Sequence, residues 1–481
     1  MLGSSSFNSE EEDQDQGQYQ DHANPLPPQQ PPPSQLPLPR SRFSHLIPSS
    51  SPTISASSSS LIHNNPRQLL ISCAELISRC DFSSANRLLS LLSGDFSSSS
   101  GDSTERLVYY FCKALFLRLR RQFSLSSSTF TGYNYNPSCS TSIAPLFLTN
   151  PNPRPPQELL IRVSNRVSPS RCSSYLTLNQ ITPFIRFTHL TANQAILEAV
   201  EGYRAVHIID MDIMHGVQWP PLLQAIAERS ATLGQPPLVV RITGGGPDPV
   251  LLERTGDRLW NFARSLGMEF HFQGLMIPSD STGFVEPAEA AVNALALQDA
   301  VGCQEGEALA VHCGDYLHCL LKEYDTRPLR RFLHKVKTLN PRVLTLGERE
   351  ADHNHPLFLR RFTEAVNHYG AVFDSLEATL PPHSQERVAV EEGWFGEEIN
   401  DVVGEEGERR IERHQKFESW EALLRSSGFK SVPLSPFSLS QAKLLLRLHY
   451  PLEGYQLQVL HSNCLLLGWK NRPLFSVSSW Q

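Results

Sequence analysis

The spacing of apolar positions changes rhythm partway along the chain. From Arg67 onward, Leu69, Leu70, Cys73, Leu76, Ile77 and Cys80 recur at helical intervals, and Leu88, Leu89, Leu91 and Leu92 continue the apolar face. Asp102 and Glu105 form a capping pair for a helix carrying Leu107, Phe111, Ala114, Leu115 and Leu119. A further helical block over 175–200 makes the first ordered third helical. At Ala205 the rhythm shortens. Val206, His207, Ile208, Ile209 and Asp210 form a brief run, largely β-branched and flanked by turn residues, as a strand buried on both faces should be.

The pattern then predicts a helix over 219–232, a strand over 238–243, a turn at Gly244–Pro247, a helix over 251–266 and a strand over 269–276. Two more strands are predicted over 308–313 and 343–346, each followed by a helical pattern. Strand alternating with helix implies a parallel sheet covered on both faces, a doubly wound α/β fold. Leu252, Leu259 and Leu266 lie seven residues apart, but three positions are too few for a coiled coil, and packing on the sheet accounts for them. A charged helical stretch is expected over 386–427. The chain then ends in short strands over 457–460, 465–469 and 474–480, with turns at 461–463 and 471–473, an antiparallel meander.

Composition separates the leader from the rest. Residues 1–66 hold fifteen Ser, eleven Pro and seven Gln, half of the segment. Such a stretch buries too little apolar surface to offset the entropy of ordering, so it is expected to be disordered and outside the fold. Two further low-complexity insertions, 97–101 and 124 to about 156, are expected as loops within the helical region. The net charge is −7, which argues against coating nucleic acid by bulk electrostatics. Nine cysteines in 481 residues make no disulfide framework. Neither a signal peptide nor an apolar run long enough for a membrane span is evident, so a chain of the cytosol or nucleus is expected.

Doubly wound sheets bind ligands beyond the carboxyl ends of their strands. After the first strand comes Asp210-Met211-Asp212-Ile213-Met214-His215-Gly216, where side chains fill the turn that a phosphate or methionine-sulfonium cofactor would need as glycine. The second strand lacks a terminal acid for a ribose. No cofactor is therefore expected. His312-Cys313 and His318-Cys319 resemble metal ligands but lack a tight knuckle, and buried structural cysteines account for them better. Glu348, Glu350, Asp352, His353 and His355 stand where a catalytic group could, although a solvated polar loop is the commoner arrangement.

Ser440 and Lys443 share a weak Ser-x-x-Lys spacing. Leu88-Leu89-Ser90-Leu91-Leu92 matches a helix-in-groove motif, but leucines on a helix are usually core. Three basic clusters, Arg118/Arg120/Arg121, Arg327/Arg330/Arg331/Lys335/Lys337 and Arg409/Arg410/Arg413/His414, alternate with no aromatics and are expected as solvated faces. No catalytic, cofactor or metal residue follows from these patterns.

The run Val206–Asp210 resembles the signature strand of the plant GRAS family of transcriptional regulators. Leucine-rich stretches flank it, roughly over 67–200 and 238–276. Pro356, Tyr369, Glu398 and Glu406-Gly407-Glu408-Arg409 are similar to the family's later motif block. Trp420, Gly428, Trp469 and Trp480 are similar to its C-terminal motif. Longer strings, 178–187, 375–382, 441–451 and 471–480, resemble its Lateral suppressor subgroup. Three positions depart from the family pattern, with His368 in place of Phe, Glu397 in place of Arg and Ser479 in place of Ala.

The resemblance implies a methyltransferase-like Rossmann core with an α-helical cap. On that basis 67–481 is the family domain, with a cap over about 67–203, an α/β core over 204–481 and a further cap segment near 386–427. It implies a non-enzymatic nuclear regulator that promotes axillary meristem initiation and shoot branching. The implied partners are zinc-finger DNA-binding proteins, other family members as homo- or heterodimers, and promoter DNA directly or indirectly, with no membrane. Direct DNA reading without a partner, or a methyltransferase-type enzyme with an atypical cofactor loop, are the competing expectations.

Overall fold

The β-branched run becomes β1 (Ala205–Asp210), with Val206, Ile208 and Ile209 buried and the other strands set around it. The structure, a computed structural model, describes residues 65–128, 169–232, 239–277, 287–301, 306–451 and 453–481. The expected disorder of 1–66 falls almost wholly outside them, as does most of the second insertion.

Seven strands join β1 in one sheet. They are β2 (Val239–Gly246), β3 (Glu269–Met276), β4 (Glu307–Gly314), β5 (Val343–Arg349), β6 (Tyr455–Leu460), β7 (Cys464–Trp469) and β8 (Arg472–Trp480), in the order β3-β2-β1-β4-β5-β8-β7-β6. The first five run parallel, and β8, β7 and β6 add the expected antiparallel meander. Chain order reverses between β1 and β4, which is where such sheets open a crevice. The mixed α/β architecture is the one the alternation predicts.

Helices cover both faces. Pro183–Ala199, Trp219–Thr232 and Pro249–Ser265 supply Ile196, Trp219, Leu223 and Leu259 to a core against Val206, Ile208 and Val240. On the other face Leu295, Leu329, Phe332, Trp420 and Leu424 pack against Val311, Leu344 and Trp480. A third core joins the first helices, Pro66–Ser78, Phe82–Asp95 and Ser103–Ser128, to Phe358–Thr379 and to β7 and β8. The capping pair forms as expected, since Thr104 and Glu105 amides donate to Asp102 Oδ1 at 2.9 Å and the Asp102 amide donates to Glu105 Oε2 at 3.0 Å. Leu89 and Leu92 are wholly buried, so the leucine motif is core packing. No helix among the described residues is long and apolar enough to cross a membrane.

Four local expectations need correction. Gly244–Gly246 is no turn and continues β2, because the chain needs bare backbone there for a reason that belongs to the site below. The helical block over 175–200 is two helices, Pro169–Ile181 and Pro183–Ala199, broken where Pro183 opens the second. The charged stretch over 386–427 divides into Gln385–Val390, a π-helical turn Glu391–Phe395, Gly396–Gly404, an irregular crossing segment and Phe417–Ser426. Arg387, Glu391, Glu398, Asp401, Arg410, Glu412 and Arg413 of that stretch are buried. The helix Ser103–Ser128 also runs into the start of the segment read as a loop from Ser124.

Candidate functional site

The carboxyl ends of β1, β4 and β5 meet beneath the helical cap, and the chain's own side chains fill the place where a ligand would sit. Asp210 ends β1 buried, with Trp219 Nε1 donating to its Oδ2 at 3.0 Å and the Asp212 amide to its Oδ1 at 3.3 Å. Burial, reinforced by Asp212, raises its pKa to about 7. The next residues fold back over β2. The Ile213 amide donates to the Gly245 carbonyl at 2.9 Å and the Met211 amide to the His312 carbonyl at 3.1 Å.

A Cβ on Gly245 would stand 2.6 Å from the Met211 carbonyl oxygen, and one on Gly244 would stand 2.7 Å from Ile213. The glycines admit the protein's own loop and not a phosphate. Met211 and Ile213 are buried there, so a methionine-sulfonium cofactor does not fit the turn as it stands. Within the strand, His207 Nε2 and Thr243 Oγ1 lie 2.8 Å apart, so this signature residue is a buried polar link between β1 and β2.

The expected solvated loop at the end of β5 is instead an ionic centre. Glu348 and Arg349 still belong to the strand, and Glu348, Arg349, Glu350 and His353 are buried, with Asp352 and His355 only partly so. Glu348 accepts from the Leu317 amide and His318 Nδ1, each at 2.8 Å. His318 Nε2 reaches Glu412 Oε2 at 3.0 Å, so both ring nitrogens face carboxylates. Burial alone would lower the His318 pKa, but Cys319 and Glu348 push it well above the ordinary value, and the ring is held as an imidazolium.

Arg349 Nη1 donates to Asp315 Oδ1 at 2.7 Å, and its Nη2 pairs with Glu398, which also accepts from Tyr369 Oη at 3.1 Å. Arg171 adds an ion pair to Glu412 at 3.1 Å and lies 4.3 Å over the Trp394 ring. Despite burial, which works the other way, Arg349 holds Asp315 at about 2.

The segment over 405–416 crosses the sheet end and is bolted by groups expected to be solvated. Arg410 Nη1 donates to the His353 carbonyl at 2.7 Å, and Arg413 Nη1 to Asn354 Oδ1 at 3.0 Å. Arg410, Arg413 and His414 are buried, and only Arg409 of that cluster is open to solvent. Arg118 likewise turns inward to Glu406 at 2.7 Å and stacks 3.7 Å over Phe358. The third cluster keeps its expected place, with Arg327, Arg330 and Arg331 exposed along one helix. Sequence reasoning missed Arg171, Asp315 and Glu412. The signal available was the alternation of charge in Arg410-Ile411-Glu412-Arg413, which suits a segment gripped from two sides.

The C-terminal motif residues are structural. Trp420, Trp469 and Trp480 are buried, and Gly428, at φ +90°, closes Phe417–Ser426 by letting the Phe429 amide reach the Leu424 carbonyl at 3.0 Å. His312, Cys313, His318 and Cys319 are buried, with His312 Nδ1 2.8 Å from Thr345 Oγ1. Asp315, His318 and His414, or His318, Cys319 and Glu412, come close enough to hold an ion, but His318 is already engaged by two carboxylates. Ser440 Oγ donates back to the Pro436 carbonyl at 3.0 Å. His368, where the family pattern has Phe, is buried with neither ring nitrogen bonded, as a residue standing in an apolar position would be.

This burial has a pH signature. Burial lowers the pKa of His189, His207, His215, His312, His353, His368 and His414. It raises that of Asp210, Glu350, Glu391, Glu398 and Asp401. Between pH 6.5 and 4, unfolding takes up protons at the histidines and releases them at the carboxyls. Arginines hold Glu391 and Glu398 against that release, so the histidines dominate and stability should fall as pH drops through this window. Below pH 4 the loss of ionised Asp315 and Glu412 adds to it. Above pH 6.5 the sign reverses for His318, whose contribution fades as pH rises through its raised pKa. Urea midpoints should drop from pH 7 to pH 5, and a flat profile would contradict the neutral histidines.

Comparison with known proteins agrees with the signature strand. The GRAS domain family matches residues 66–481. Scarecrow-like protein 18 of Arabidopsis thaliana is 49% identical over 419 residues, covering 86% of this chain and 91% of that protein. Protein MONOCULM 1 of Oryza sativa subsp. japonica is 42% identical over 432 residues, covering 86% and 88%. The crystal structure of SCL7 in Oryza sativa superposes with a TM-score of 0.65 at 33% identity, covering 87% of this chain and all of that one. With its signature strand at the centre of the shared sheet, this chain belongs to the GRAS domain family.

Proposed function

We propose that this protein is a non-enzymatic nuclear regulator of transcription in plant development, brought to promoters by DNA-binding partners. The observation that carries the reading is the sealed carboxyl edge, where Met211, Ile213 and the Arg349–Glu398 pair occupy the space a doubly wound enzyme gives its ligand. A scaffold that spends this crevice on itself offers surfaces and not chemistry. The family and its relatives support regulation of plant development, and the strings resembling the Lateral suppressor subgroup point to axillary meristem initiation and shoot branching.

Recruitment is favoured over direct DNA reading by the fate of the basic clusters. Arg118, Arg410 and Arg413 are consumed by internal partners, while among the described residues the helix Arg327–Thr338 keeps an exposed cationic face. Each phosphate contact contributes about 0.9 to the logarithmic salt slope, so few contacts mean weak binding at physiological salt. The purified chain should bind promoter fragments weakly and with a shallow salt dependence, and tightly only when nuclear extract is added. Nanomolar, sequence-selective binding by the chain alone would establish direct reading instead. Titration calorimetry with S-adenosylmethionine should give no heat, and micromolar binding would revive the enzyme.

A further inference from the structure

The helix Pro436–His449 buries one side and, among the described residues, leaves the other uncovered. Ser438, Ala442 and Leu445 face inward, toward the helix Pro183–Ala199 and β6. About a third of the way around the helix Phe437, Leu444 and Leu448 are 58%, 51% and 62% exposed. At 3.6 residues per turn these three fall within about 40° of one another around the helix axis, one above the next. Single exposed apolar residues need no explanation, but an aligned row of three large ones on a well-packed helix marks a contact surface. Lys443 and Arg447, both exposed and one turn apart, border the row on one side. The helix carries no acidic residue, and among the described residues no carboxylate lies in ion-pair range of either cation.

We infer that this row is a docking ridge for an acidic amphipathic helix of a partner protein. Charge selects the occupant. Lys443 and Arg447 beside an apolar row favour a partner helix whose leucine face is flanked by glutamates. Shape selects a helix, since residues at i, i+7 and i+11 form a straight ridge that seats in the groove between rows of a second helix. An anionic membrane suits the ridge less well, because holding to anionic lipid takes a cluster of about four to eight Lys/Arg, and Lys443 and Arg447 are a pair. The inference rests on the reading that partners bring this chain to promoters, and it names the face they would use.

The test uses the full chain and a fluorescein-labelled designed helical peptide with a leucine face flanked by glutamates, read by anisotropy. Leu444→Glu with Leu448→Glu should weaken binding about tenfold or more while the melting temperature stays that of wild type, as expected for exposed positions. Lys443→Glu with Arg447→Glu should switch preference to the lysine-flanked version of the peptide. Equal binding by wild type and the leucine variant, or equal binding of both peptides by wild type, would overturn the inference.

Two further outcomes would also overturn it in favour of another occupant. One is a concentration-dependent dimer, seen by sedimentation, that the leucine variant abolishes. The other is co-sedimentation with phosphatidylserine vesicles that the same variant abolishes. The assay contains no DNA, so its failure leaves promoter recruitment standing, and failure of recruitment leaves a measured ridge affinity intact.

Discussion

A chain ending at Pro473 should not fold. The residues removed, 474–481, are most of β8, which lies between β5 and β7 in the middle of the sheet. Without it the β6–β7 hairpin loses its attachment, and an isolated hairpin is marginal at best in water. The truncation also strips Leu474, Phe475, Val477 and Trp480 from two cores at once, and Phe475 stacks on Phe184 at 4.7 Å between ring centres. Trp480→Ala alone, at a fully buried position, should cost about 3–5 kcal/mol. The truncated chain is expected to be insoluble or digested throughout by protease, with the single variant showing a lowered urea midpoint. Wild-type melting of either protein would refute the placement of β8.

Arg349→Met should be nearly as damaging. It leaves the buried Glu398 with only the longer 3.9 Å contact to Arg171 and removes the 2.7 Å bond to Asp315. Breaking a buried ion pair from one side costs about 3–5 kcal/mol, because the surviving charge is stranded away from water. Much of that loss should return when Glu398→Gln is added, since a neutral amide still accepts from Tyr369 and no longer needs a cation. Urea unfolding of the wild type, the two single variants and the pair closes a double-mutant cycle that measures the coupling. A coupling near zero would mean that Arg349 holds its place by packing against Phe475 and Trp394 alone.

What could be read from the sequence was whatever periodicity encodes. The strands β1, β3 and β4, the helix Trp219–Thr232, the capping pair at Asp102 and the terminal meander all carry a local rhythm or a turn signal of their own. Gly244–Gly246 misled because three glycines fit a turn as well as a strand that another loop must approach closely, and only Met211 and Ile213 reveal which. Family motifs found Glu398 and Tyr369, but their partners come from 30 or more positions away on most sides. Arg171, Glu412 and Asp315 meet only after folding, and no window of sequence shows an arginine that its carboxylate is distant. The buried fate of Arg410 and Arg413 was hidden for the same reason, since a charged residue reads as solvated until its partner is known.

The position of β8 also constrains the birth of the protein. When the first helices and all five parallel strands have left the ribosome, the residues of β8 are still inside it. Until they emerge, β5 presents an open edge with its amides and carbonyls unpaired, and the apolar face that awaits Phe475 and Val477 stays uncovered. The native sheet can therefore close only once β8 has emerged, with its late pairing to β5 joining residues far apart in the chain, a slow kind of contact to form. Nascent chains should engage holding chaperones until β8 emerges, and termination before β8 is complete should yield product for degradation and not a shortened protein.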